Sequence, residues 1–240
     1  MHLFYSPNIQ EKELIAGYKH SLPSEEASHA IRVLRLRTGD KIIITTGRGH
    51  WIHAEIEETT KRDCLVEFKE IVYNCEKRSF YLHLAVGPTK NIKRFDWFLE
   101  KATEMGIDEI TPIISFHSER RDVNILRSNK VITAAMKQSL KAYHPLLNPA
   151  VSFKGFLNEI NASQKYIAHY TGPGQLLLKN IELPVKDAVV LIGPEGDFSK
   201  QEVEEAVSAG FIPVSLGNTR LRTETAAIAA VFTINLLNQK

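Results

Sequence analysis

The sequence predicts an α/β protein in which a mainly parallel sheet, flanked by helices on both faces, follows a small β-barrel. Three observations carry that prediction. Short apolar or alternating runs separated by turn residues fill the chain up to about residue 72. Strand-like and helix-like periods then alternate from residue 79 to the C-terminus. Composition is that of a globular chain: 43% of the 240 residues are hydrophobic and 24% are charged. The expected division is residues 1–73 for the barrel and 74–240 for the α/β domain.

The early elements read as follows. Thr38-Gly39-Asp40 is a turn, and the β-branched run Lys41–Thr46 is the strand after it. Gly47–His50 is the next turn, Trp51–Ile56 its hairpin partner, and Cys64–Phe68 alternates as a half-buried strand does. Residues 1–72 are thus expected to be mostly β-structure, and strands this closely spaced suggest a small barrel. Beyond Asn74, Phe80–Val86 is a strand ended by Gly87 and Pro88. Ile92, Phe95, Leu99, Ala102 and Met105 recur at helical spacing, with Gly106 as the stop. Glu109–Ser115 is a strand, and Ser128 is expected to cap a helix running to about Tyr143. Tyr166–Tyr170 and Ala188–Ile192 are strands. Ser199 and Glu202 form a capping box whose helix ends at Gly210. Phe211–Leu216 is the last strand. Thr223 to about Leu237 is the last helix, apolar nearly all round and therefore expected to be buried.

Several classes are excluded or disfavoured. No apolar run has the length of a membrane span, and Met1–Pro7 does not read as a signal peptide, so a cytoplasmic protein is expected. Cys64 and Cys75 have no paired spacing, and the His residues are scattered, so neither a disulfide framework nor a metal site is predicted. The net charge of +2 does not by itself announce a nucleic-acid binder. The basic residues are clustered, however: Arg32, Arg35, Arg37, Lys41 and Arg48 in one segment, and Lys77 to Lys101 in another.

In an open parallel sheet, ligands bind beyond the carboxyl ends of the strands. Three such ends carry glycine-rich loops: His169–Gly174, Gly193–Phe198 and Ser215–Thr225. Gly87-Pro88-Thr89-Lys90 is not a dinucleotide-binding fingerprint. Gly193-Pro194-Glu195-Gly196 lacks the Lys-Ser/Thr of a P-loop, and there is no Gly-x-Ser-x-Gly elbow.

Leu191-Ile192-Gly193-Pro194-Glu195-Gly196-Asp197-Phe198-Ser199, then Glu202, Leu216-Gly217 and Leu221-Arg222-Thr223-Glu224-Thr225-Ala226, closely resembles the ribosomal RNA small subunit methyltransferase E family of the SPOUT superfamily. The resemblance spans the chain. His29–Asp40 is similar to the family's PUA-like barrel, Lys101–Gly106 matches its Lys-Ala-x-Glu-(Leu/Met)-Gly signature, and Glu119-Arg120, Gln138-Ser139 and Pro145 match further positions. The chain departs from the family pattern at Asp197, where glycine is usual, and at Arg121, Thr219-Arg220 and Lys141.

The resemblance implies a trefoil-knotted catalytic domain, a homodimer, and transfer of a methyl group from S-adenosylmethionine to N3 of a uridine in 16S ribosomal RNA. It implies cofactor contacts from Ile192, Gly193, Gly196, Ser215, Leu216, Gly217, Asn218 and Leu221, largely through backbone groups. Glu195 is a cofactor-loop carboxylate or a loop-stabilising acceptor, and His169 is either a structural residue or a cofactor contact. The last helix is a natural part of the dimer interface. Arg222 is expected to stabilise the uracil anion, because a guanidinium beside a carbonyl favours the deprotonated ring. Glu224 either takes part in catalysis, by orienting Arg222 or holding the loop, or is an ordinary first-turn charge, with Thr223 as the cap. Arg32, Arg35 and Arg37 are the expected RNA contacts of the barrel, and Arg120 that of the catalytic domain. A ribose 2′-hydroxyl methyltransferase on the same fold, or a non-catalytic RNA-binding assembly factor, are the competing readings.

Overall fold

The computed structural model describes residues 2–60, 62–170, 172, 174–182 and 184–239. Thr171 and Pro173 of the first glycine-rich loop lie outside the described residues. The chain forms two compact units: residues 1–77 with 136–144, and residues 78–135 with 145–240.

The first unit is a five-stranded sheet. Its strands are β1 (Leu3–Tyr5), β2 (Lys19–Ser21), β3 (Lys41–Thr45), β4 (Trp51–Thr59) and β5 (Cys64–Val72), in the order β1-β3-β4-β5-β2. β3–β4 and β4–β5 pair antiparallel as the turn residues predict, whereas β1 pairs parallel to β3. Alternating side chains of β4 (Ile52, Ala54 and Ile56) are buried and meet Val66 and Phe68 of β5 in a single apolar core with Phe4. The expectation of mostly β-structure holds here, with one helical stretch that the sequence reading did not include. Residues 24–33 are helical, first α1 (Ser24–Ser28) and then a π-helical turn over His29–Val33. Ala27 and Ala30 face the core, so burial of small apolar side chains holds a segment too short to be a stable helix alone.

The second unit is a seven-stranded sheet. β6 (Tyr81–Val86), β7 (Glu109–Ile114), β8 (Leu146–Leu147), β10 (Gln164–Ala168), β11 (Asp187–Ile192) and β12 (Ile212–Val214) lie in the order β12-β10-β11-β6-β7-β8, and β9 (Val151–Ser152) pairs with β7. Every pairing is parallel. Successive strand residues go to opposite faces. Leu82, Leu84, Val190 and Ile192 pack with α2 (Ile92–Met105) and α6 (Thr223–Leu237). Ala85, Val189 and Leu191 pack with α4 (Phe153–Glu159) and α5 (Lys200–Ser208). Helices therefore cover both faces, which is why the central strands read as continuous apolar runs.

Three local expectations change. The helix expected over 128–143 is α3 (Ile125–Gln138). Asn124 Oδ1 accepts from Arg127 N at its start, and at its end Leu140 takes φ 56°. There Lys141 N donates to Met136 O (2.9 Å) and Leu140 N to Lys137 O (3.3 Å), closing a Schellman turn before Tyr143. Thr223 is not the cap of α6; Arg222 holds that position through its backbone alone, and Thr223 is the first helical residue. Nor is α6 buried all round. Ala227, Ala230, Val231 and Ile234 are buried, but Phe232 and Leu236 are each 53% exposed.

The α5 capping box forms as predicted: Glu202 N donates to Ser199 Oγ, and Ser199 N to Glu202 Oε2. Glu202 has a second task. Its Oε1 accepts from Phe116 N at 2.7 Å and fixes the loop after β7. Ser199→Ala should cost about 1 kcal/mol in urea unfolding. Glu202→Ala removes acceptors for two backbone donors and should cost about 2–3 kcal/mol; equal losses for the two variants would contradict this linkage.

Candidate active site

Register fixes where the loops converge. Ala168 pairs with both Ile192 and Val214, and Ile192 pairs with Val86, so four parallel strands end in one row. The chain leaves β10, β11 and β12 at the same edge, and their three following segments enclose a cavity of about 770 Å³. Its wall includes His169 and Tyr170 after β10, Ile192 at the end of β11 with Gly193, Glu195 and Asp197 after it, and Val214 at the end of β12 with the run from Ser215 to Thr223, joined by Ala226 from α6.

The wall is held from behind by backbone bonds. Ser215 N donates to Leu176 O and Leu178 N to Ser215 O, both at 2.9 Å. Ser215 Oγ donates to Gly217 O (2.9 Å) and accepts from Gly217 N (3.2 Å). Gly217 has φ 137°, a conformation side-chain-bearing residues rarely adopt, and a Cβ there would meet nothing within 4 Å. Gly87 N donates to Ile192 O at 2.9 Å, and a Cβ on Gly87 would lie 2.6 Å from Pro194 N. Glycine is required there for the close approach of two chain segments.

Of the expected cofactor contacts, His169, Ile192, Gly193, Glu195, Ser215, Leu216, Gly217, Asn218 and Leu221 all line the cavity, as does Arg222. Gly196 stands outside the lining. A Cβ at Gly196 would come 2.7 Å from His117 Cβ, so its smallness serves packing of the β7–α3 loop. Glu224 is also outside the lining. It is buried, with Oε1 3.7 Å from Arg94 Nε and, among the described residues, no hydrogen-bond partner for Oε2. Glu195 Oε1 accepts from Lys90 N at 2.9 Å, which ties the β11–α5 loop to the β6–α2 loop. Arg120 is half-buried and donates to the carbonyls of Thr89 (3.1 Å) and Lys90 (3.0 Å). Arg32, Arg35 and Arg37 are exposed on the first unit, with Arg35 in the left-handed region at φ 56°.

Asp197 is the main addition to the site. Its φ of 62° explains why glycine suits this position, and aspartate tolerates the left-handed region better than most residues. Asp197 Oδ2 lies 2.9 Å from His169 Nδ1. The only signal in the sequence was a carboxylate in place of glycine. Tyr170 and Arg220 also line the cavity, and neither is among the expected site residues.

The cavity suits S-adenosylmethionine. Its volume falls within the roughly 300–1,000 Å³ usual for small-molecule sites. Ile192, Leu216, Leu221 and Ala226 offer apolar surface for the base, Glu195 and Asp197 offer carboxylates to a cation, and the Gly217 turn brings bare backbone to the wall. Among the described residues, no group of three or more His, Cys, Asp or Glu could hold a metal ion, and no helix is long and apolar enough to cross a membrane.

Comparison with known proteins agrees with this geometry. Residues 76–235 match the model of an RNA methyltransferase domain, and residues 22–69 match that of an RNA methyltransferase PUA domain. The ribosomal RNA small subunit methyltransferase E of Rickettsia conorii is 31% identical over 227 residues, covering 93% of this chain and 92% of that protein. A probable rRNA-methyltransferase from Porphyromonas gingivalis superposes with a TM-score of 0.90 at 38% identity, covering 99% of this chain and 98% of that one. The small subunit methyltransferase E of Neisseria gonorrhoeae, solved bound to S-adenosyl methionine, superposes with a TM-score of 0.89 at 27% identity over 99% and 98% of the two chains. With a SPOUT-type parallel sheet preceded in sequence by a PUA-like domain, and these matches over most of its length, this chain belongs to the ribosomal RNA small subunit methyltransferase E family, as an S-adenosylmethionine-dependent rRNA methyltransferase.

Proposed function

We propose that this chain methylates N3 of a uridine in the 16S ribosomal RNA of the small subunit. The observation that carries the reading is Arg222 in the wall of a cavity that suits S-adenosylmethionine. The bound cofactor supplies an electrophilic methyl group on a sulfonium. Uracil N3 is not nucleophilic until it loses its proton, so the protein must favour the anion and align N3 with the methyl carbon. Arg222 is exposed at the cavity and permanently charged, which suits it to bind a uracil carbonyl that gains negative charge. Glu224, buried in the first turn of α6 beside Arg94, anchors the segment that carries Arg222. Alignment supplies much of the rate in such a transfer.

The remaining roles follow the same reading. Residues 1–73 serve RNA binding, with Arg32, Arg35 and Arg37 meeting phosphates, and residues 74–240 form the catalytic domain, with Arg120 fixing the β6–α2 loop near the RNA. The catalytic domain carries the trefoil knot that the family resemblance implies. The protein works in the cytoplasm as a homodimer, and the exposed Phe232 and Leu236 on α6 supply apolar surface for the interface.

The deciding test is mass spectrometry of nucleosides from small-subunit RNA of cells lacking the protein, after incubation with the protein and S-adenosylmethionine. Appearance of 3-methyluridine supports the reading; 2′-O-methyluridine, or no product on naked RNA or assembled subunits, overturns it. Three variants extend the test. Arg222→Ala should lower kcat by about 100-fold or more with stability unchanged; an unchanged kcat removes Arg222 from the chemistry. Gly217→Ala forces an unfavourable φ costing about 1–3 kcal/mol, and should weaken S-adenosylmethionine binding in calorimetry; wild-type affinity would mean the turn is not part of the site. Phe232→Glu combined with Leu236→Glu should yield monomers in analytical ultracentrifugation, and an intact dimer would place the interface elsewhere.

A further inference from the structure

His169 sits at the end of β10 and lines the cavity, in a setting suited to proton transfer. Its Nδ1 is 2.9 Å from Asp197 Oδ2. A carboxylate only accepts, so Nδ1 carries the hydrogen and the neutral ring keeps its lone pair on Nε2. Among the described residues, none bonds Nε2. Asp197 is itself fixed: its N–H donates to Pro194 O (2.9 Å), its Oδ1 accepts from Phe198 N (2.8 Å), and its carbonyl accepts from His117 Nδ1 (3.1 Å). The His169 carbonyl accepts from Gln175 Nε2 at 2.6 Å. Backbone and ring are both held, as the orienting carboxylate of a catalytic histidine requires.

The other charged and titratable groups facing the cavity are poorer proton acceptors. Glu195 accepts a backbone N–H from Lys90, and both oxygens of Asp197 are engaged. Arg220 and Arg222 from the β12–α6 loop have no basic form at working pH. Tyr170 is a phenol that ordinarily keeps its proton. Imidazole is the one side-chain type in this wall that ordinarily exchanges a proton near neutral pH.

We propose that His169, oriented by Asp197, accepts the N3 proton of the target uridine, an inference that rests on the uridine-N3 reading above. The N3–H bond breaks and the proton passes to Nε2. The electron pair left on N3 forms the bond to the methyl carbon, while the carbon–sulfur bond breaks, its pair goes to sulfur, and the sulfonium charge is lost. Asp197 stabilises the imidazolium, which then releases its proton to solvent; the His169 side chain is 22% exposed.

The test uses the full chain, small-subunit RNA and saturating S-adenosylmethionine. His169→Gln should lower the rate of 3-methyluridine formation by about 100-fold or more, with the calorimetric Kd for S-adenosylmethionine unchanged. RNA carrying 5-fluorouridine, whose N3 proton is more acidic, should restore much of that rate. Asp197→Gly keeps the left-handed backbone and removes only the carboxylate. It should lower the rate of 3-methyluridine formation by about tenfold or more with the Kd for S-adenosylmethionine unchanged, and 5-fluorouridine RNA should restore much of that rate. A His169→Gln enzyme with wild-type kcat overturns the proposal. So does a loss that lies wholly in the Kd for S-adenosylmethionine. Wild-type protein that forms no 3-methyluridine would instead remove the underlying reading.

Discussion

Parallel pairing of β10 between β11 and β12 is the constraint on which the site depends. With Ala168 in register with both Ile192 and Val214, three strands must end at one edge, and the chain must turn away from that edge three times. Parallel strands also require long crossovers, and these carry the helices that bury both faces. The cavity is therefore a by-product of topology, and its chemistry is left to whatever side chains the three loops present.

Those loops are short of side chains with obvious chemistry because the backbone itself must come close to a ligand and to neighbouring segments. Gly87 approaches Pro194 too closely for a Cβ, and Gly217 turns at a φ that other residues rarely adopt. The loops are stiffened by carboxylates. Glu202 joins the α5 cap to the β7–α3 loop, Glu195 bonds the backbone of Lys90, and Asp197 fixes the ring of His169. Each is a carboxylate on the β11–α5 segment that reaches another segment, so one stretch of chain organises most of the wall. A preorganised wall matters because alignment and fixed charge, once built, need no rearrangement during the reaction.

Much of this was legible in the sequence. The apolar runs that became β6, β10 and β11 are buried on both faces, and the Ser199–Glu202 box is a purely local pattern. The glycine-rich strand ends marked the cavity, and Arg222 of the Arg-Thr-Glu-Thr run lies in its wall. What was not legible depends on contacts distant in sequence. β1 is only three residues long and exists because Leu3–Tyr5 pairs with Ile43–Thr45. Residues 136–144 join the first unit through bonds such as Thr45 Oγ1 to Ala142 O, 97 positions apart. The early end of α3 rests on a left-handed Leu140 where no glycine signals a stop. In the site, the bond between His169 and Asp197 spans 28 positions, and the burial of Glu224 beside Arg94 follows from how α2 and α6 pack.

The central claim is that the segments after β10, β11 and β12 hold the cofactor. A crystal structure of this chain with S-adenosylhomocysteine tests it most directly. The account predicts the ligand between Ile192–Glu195 and Ser215–Arg222, with its sulfur facing the space between His169 and Arg222. A ligand bound at another edge of the sheet, or a cavity that stays empty at saturating ligand, would contradict it.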